Sequence, residues 1–115
     1  MTILDACLGT EQQTWEYMQK LVEGENWEAV YLISQSQNFK CKKEINFVPS
    51  DTKVPLPDLA LQIRQSLNGK IIDTVVALNL ALGSGKEHMA ILSALIKLGL
   101  GIRLVAYTSE GVREI

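Results

Sequence analysis

"TVVALNLALGSGKEHMAIL", residues 74–92, is the stretch that decides the fold. Thr74 to Leu82 is a continuous apolar run rich in Val, Leu and Ala, the pattern of a central parallel strand covered by helices on both faces. A glycine-rich turn follows at once. Lys86 to Leu98 has the length of a helix, Gly99 and Gly101 end it, and "IRLVAY", Ile102 to Tyr107, reads as a further strand.

Working back toward the amino terminus, the same alternation recurs. Glu44 to Val48 reads as a strand, and Pro55, Pro57 and Asp58 open a helix that runs through Leu67 with Leu59, Ile63 and Leu67 on one face. The direction of the Glu44 strand stays open, because about ten residues are the lower limit for a helical crossover. "WEAVYLIS", Trp27 to Ser34, is a strand. Thr10 to Gly24 spaces Trp15, Met18, Leu21 and Val22 as a helix does, with Thr10 placed to cap it. Ile3 to Leu8 is a short apolar run suited to a strand buried on both sides. "SEGVREI", residues 109–115, reads as a polar tail. The expectation is a Rossmann-like three-layer α/β sandwich, one domain over residues 1–115, with a mostly parallel five-stranded sheet.

Composition narrows the function. A chain of 115 residues with 47% hydrophobic content is long enough for one cored domain. Eleven basic against thirteen acidic side chains give a net charge of −2, so nothing draws the molecule globally to duplex nucleic acid or anionic lipid. Cys7 and Cys41 form no Cys-x-x-Cys or Cys/His cluster, which points to free thiols, a cytoplasmic setting and no structural metal. Ser93, Lys97, Gly99, Gly101 and Arg103 interrupt the longest apolar stretch, so it falls short of a membrane span.

If the first strand is central, with the Trp27 strand on one side and the Thr74 strand on the other, two loops meet where the strand order reverses: "LGTEQ" after the first strand and "LGSGKEH" after the Thr74 strand. The second loop fails as a Walker loop, since Leu80 stands where the first glycine belongs and Glu87 replaces the magnesium-binding hydroxyl. It fails equally as a dinucleotide fingerprint, because it follows a late strand and lacks the third glycine, which argues against a nicotinamide cofactor. General physics remains: free amides at a helix start, the helix dipole and the Lys86 ammonium all favour an anion, while Gly83 and Gly85 permit close backbone approach. A plain connecting turn, with Ser84 as its cap and Lys86 in solvent, satisfies the same pattern. His88 is the chain's one histidine and has no second imidazole for a relay. Trp15, Trp27 and Tyr31 read as core, whereas Tyr107 ends its strand close to the crevice.

"MAILSALIKLGLGI", residues 89–102, is apolar nearly all round, so a surface beyond one sheet face must bury it: a second copy of the chain in a two-fold dimer, or neighbouring helices of the same chain.

"LGT" after the first strand and "LNLALGSGKEHMAILSAL" later on resemble the two ligand loops of CRISPR-associated Rossmann fold (CARF) domains. The second loop of that family often reads Thr-Gly-Gly-Thr-Lys-x-Met. Here it stands as Gly83, Ser84, Gly85, Lys86, Glu87, His88, Met89, with the leading Thr replaced and the Met displaced by one residue. The resemblance spans the order of elements along nearly the whole chain, but its specific motifs cover only about a dozen residues. It implies a homodimer, formed through the Lys86 to Leu98 helix, that binds the cyclic oligoadenylate messenger of type III CRISPR defence.

Gly9, Thr10, Gly83, Ser84, Gly85, Lys86 and His88 are then the ligand-binding set. Two outputs are open: metal-independent ring cleavage by a ribose 2′-OH, with Lys86 offsetting charge and Thr10 and Ser84 orienting the attack, or binding alone as a sensor or sink. The eight residues after Tyr107 leave no room for an effector domain in the expected layout. A protein-interaction role through "FKCKK", residues 39–43, is a third class; that basic cluster otherwise reads as a solvated strand edge.

Overall fold

The computed structural model describes residues 2–115. The strands are β1 (Ile3–Cys7), β2 (Ala29–Ser34), β3 (Asn46–Pro49), β4 (Val75–Asn79), β5 (Gly101–Thr108) and β6 (Gly111–Glu114); the helices are α1 (Trp15–Glu23), α2 (Leu56–Leu67) and α3 (Gly85–Lys97). They build one six-stranded sheet in the order β3-β2-β1-β4-β5-β6. The pairs from β3 through β5 are parallel, and β6 returns antiparallel beside β5.

All five residues of β1 are buried because helices cover both faces of the sheet. Alternate side chains divide accordingly. Ile3 and Cys7 join Leu59, Ile63, Leu67, Ile91, Ala94 and Leu95 in the layer under α2 and α3, while Leu4, Ala6 and Leu8 join Met18, Leu21, Val22 and Leu32 under α1. Burying a Leu or Ile of this kind contributes about 1.5–3 kcal/mol, so each helix is held mainly by its apolar stripe. The expected α/β sandwich is what forms.

Three sequence expectations need correction. The Ser109–Ile115 tail is not a loose polar end: Thr108 pairs with Gly111 across a two-residue turn, and Gly111 takes a φ of 97° that favours glycine. Only Val112 of the four β6 residues is apolar, which is too little to show a two-residue period. The sheet therefore has six strands, not five. Thr10 does not cap α1, since a 3₁₀ turn at Gln12–Thr14 intervenes and no side chain caps either segment. Residues 39–43 are a loop, not a strand edge: Phe39 is buried in the α1 layer and Lys43 Nζ donates to the Trp27 carbonyl at 3.2 Å.

The strand left open in direction, β3, is parallel. The loop from Gln35 to Ile45 performs the crossover on the α1 face, with Phe39 and Ile45 packed there in place of a helix. Among the described residues no helix is long and apolar enough to cross a membrane.

Candidate functional site

Strand order places the site. Growth of the sheet runs from β1 to β2 in one direction and from β4 to β5 in the other, so the loops after β1 and β4 diverge above a crevice at the carboxyl ends of the strands. A cleft of about 630 Å³ lies there, lined by Gly9, Thr10 and Glu11 from the first loop, Leu82 to Ser84 with Lys86 and Glu87 from the second, and Gln35 and Thr52 from the sides.

The two loops touch. A Cβ added to Gly9 would stand 3.2 Å from the Gly83 nitrogen, and one on Gly83 would stand 2.9 Å from Cys7 Cβ. Gly83 also has a φ of 92°, so both its conformation and its space require glycine. Trp15 fixes the first loop by donating its Nε1–H to the Gly9 carbonyl at 2.7 Å. His88 fixes the second, its Nε2 donating to the Leu82 carbonyl at 2.8 Å.

Helix α3 opens with a full capping box. Glu87 N–H donates to Ser84 Oγ at 3.2 Å, while the Glu87 carboxylate accepts from the Ser84 N–H at 3.0 Å and from the Ser84 hydroxyl at 3.1 Å. The other carboxylate oxygen accepts from Ser50 Oγ, just past β3, at 2.8 Å. Glu87 is buried. A carboxylate of the chain's own thus occupies part of the positive helix terminus, and the Ser84 donors assigned by sequence to a ligand go to it. Gly85 and Lys86 keep first-turn amides that no helical carbonyl accepts.

Lys86 lines the cleft but does not project freely. Its Nζ donates to the Thr52 carbonyl at 2.7 Å and also to the Val54 carbonyl, binding α3 to the β3–α2 loop. One of its three N–H bonds remains for an anion. Of the sequence-nominated set, Gly9, Thr10, Gly83, Ser84 and Lys86 therefore share one cleft, whereas Gly85 and His88 are not part of its lining. His88 acts from beneath, through the Leu82 carbonyl. The Ser-x-x-Glu spacing was the sequence signal for the capping box; the Ser50 and Thr52 contacts had none.

Below the cleft, β1 carries a second feature that sequence reading passed over. Asp5 is fully buried, opposite Tyr31 and Leu78 in the register, and neither carboxyl oxygen has a hydrogen-bond partner among the described residues. Burial pushes its carboxyl up from the ordinary 3.8 to about 7. Burial also pushes the Cys7 thiol far up, helped by the charges of Glu87 and Asp5, so Cys7 stays protonated and is no nucleophile. Among the described residues no three His, Cys, Asp or Glu side chains gather into a metal-binding group.

On the far side, α3 buries Glu87, Ala90, Ile91, Ala94 and Leu95 against the sheet and α2. Met89 and Ile96 face outward, 61% and 66% exposed. Neighbouring elements thus cover only part of this apolar helix.

Comparison of the chain with protein-family models, with curated proteins and with solved structures found no match.

Proposed function

We propose that the protein binds a cyclic oligoadenylate in the cleft between its two glycine turns, as one half of a two-fold dimer. The observation that carries this reading is the contact of Gly9 with Gly83, which brings two backbone turns and the start of α3 together around one opening of about 630 Å³. An anion entering it meets the first-turn amide of Lys86, the remaining Lys86 Nζ–H and the exposed Thr10 side chain. A cyclic polyphosphate has rotational symmetry, so two identical clefts suit equivalent phosphates. The outward Met89 and Ile96 supply apolar area for the second copy.

Binding alone is favoured over cleavage by one further observation. Three groups able to move a proton are already engaged: His88 holds the Leu82 carbonyl, the Ser84 hydroxyl proton goes to Glu87, and Lys86 grips Thr52 and Val54, which leaves the exposed Glu11 carboxylate at the cleft wall. Ring opening in such a site would rest on in-line placement of a ribose 2′-OH. The test is incubation of the purified protein with radiolabelled cyclic tetra- and hexaadenylate without added metal. Retention of intact ring supports the sensor, a linear product ending in a 2′,3′-cyclic phosphate supports a ring nuclease, and the absence of both binding and cleavage refutes the messenger reading.

A further inference from the structure

The main cleft has a neighbour. Thr14, Ala81 and Leu82 line both it and a second hollow of about 520 Å³ on the α1 side of the sheet. The walls of this hollow differ in chemistry from those of the cleft: the rings of Tyr17 and Tyr107, with Lys20 at the rim.

These rings are held in place. Tyr17 Oη accepts from the Tyr107 backbone N–H at 3.1 Å and from Asn79 Nδ2 at 3.0 Å. Asn79 is itself buried, donating also to the Val105 carbonyl at 2.8 Å and accepting from the Ala81 N–H at 3.1 Å. One buried amide at the end of β4 thus ties α1, β5 and the second loop together behind the hollow. The two rings meet edge to face, with centroids 6.4 Å apart and planes at 87°; Lys20 Nζ, paired with Glu16 at 3.2 Å on the same wall, lies over the Tyr107 ring at 6.0 Å from its centre, and a base stacking on that face takes the place of this half-exposed ammonium. A wall fixed by backbone and buried hydrogen bonds loses little entropy on receiving a flat ligand.

We propose that this hollow is the base subsite of the nucleotide ligand, with the face of Tyr107 stacking on one heteroaromatic ring whose phosphate lies against the Gly9 and Gly83 turns. The assignment rests on the cyclic nucleotide reading of the main cleft. The two spaces adjoin at Thr14, Ala81 and Leu82, so one nucleotide lying over these residues reaches both, and aromatic stacking is worth enough per base to set affinity.

The probe is cyclic tetraadenylate in which one adenine is replaced by 2-aminopurine, whose emission is quenched on stacking. Wild-type protein is expected to bind the ring with quenching, Tyr107→Leu to bind about tenfold more weakly without it, and Tyr107→Phe to match wild type. Full affinity in Tyr107→Leu, or binding by wild type without quenching, overturns the base subsite while leaving the cleft reading intact. Absence of any binding by folded wild-type protein overturns both. Should Tyr107→Leu fail to fold, quenching in wild type and in Tyr107→Phe still decides the matter.

Discussion

Asp5 gives the sharpest test of how this core is built. Its carboxyl sits in the central strand with no hydrogen-bond partner among the described residues, and burial raises its pKa from 3.8 to about 7. In the unfolded chain the group ionises near its ordinary value. Between pH 3.8 and about 7 the folded protein therefore holds a proton that the unfolded chain releases, and stability falls as pH rises through that window. Each pKa unit is about 1.4 kcal/mol, so the loss amounts to about 4 kcal/mol, complete above the folded value. Stability from this group is fully present below the unfolded pKa and does not return at alkaline pH.

Urea denaturation followed by tryptophan fluorescence, at several values from about pH 4 to about pH 8, measures the slope. Two substitutions isolate it. Asp5→Asn should flatten the profile in this window, since an amide does not titrate. Asp5→Val should flatten it and also stabilise the protein above about pH 7 by roughly 2–4 kcal/mol, because an apolar side chain suits the site and no charge is buried. A wild-type profile that is level or rising across the window, or an unchanged slope in Asp5→Asn, would refute the claim that an unpaired carboxyl lies in the core.

Other consequences follow from the loops and from α3. Glu87→Ala should cost about 2–3 kcal/mol in urea denaturation, because the Ser84 N–H and the Ser50 hydroxyl both lose their acceptor. Gly83→Ala should destabilise by about 1–3 kcal/mol through its positive φ and its contact with Cys7, and should weaken cyclic oligoadenylate binding in a filter assay as the turns separate. On the proposed dimer, wild-type protein should sediment as two copies and Ile96→Glu as one; a wild-type monomer would refute the dimer, and a dimer unshifted by Ile96→Glu would exclude the outer face of α3 as its contact.

How much of this could be read beforehand differs from element to element. The apolar run from Thr74 to Leu82 announced a doubly covered strand, of which Val75–Asn79 is β4 while Leu80 to Leu82 belong to the loop beyond it, and Pro55 with the run to Leu67 marked α2 to within a residue of its observed start and end. The meeting of the two glycine turns at one end of the sheet rested on placing the first strand between the Trp27 and Thr74 strands, which periodicity does not dictate and the sheet bears out. The roles within the site did not. Ser84 and Lys86 carried the right chemistry for an anion, yet their donors are largely spent on Glu87 and on the Thr52 and Val54 carbonyls. Strand β6 escaped notice because one valine cannot establish a period, and Asp5 because a single carboxylate in an apolar run carries no sign of what will surround it.

By itself, then, the order of residues determined most of the alternation of strands and helices, the layers they stack into and the glycine-rich character of the turn at Gly83. These are local properties, set by periodicity over five to a dozen neighbours and by the steric freedom of one backbone unit. Tertiary structure alone decided which hydrogen bonds the site keeps for a ligand, where the hollow beside Tyr107 opens and that Asp5 goes unpartnered. Those outcomes join residues such as Ser50 and Glu87, 37 positions apart, and a polar group's partner is known only once the chain has closed around it.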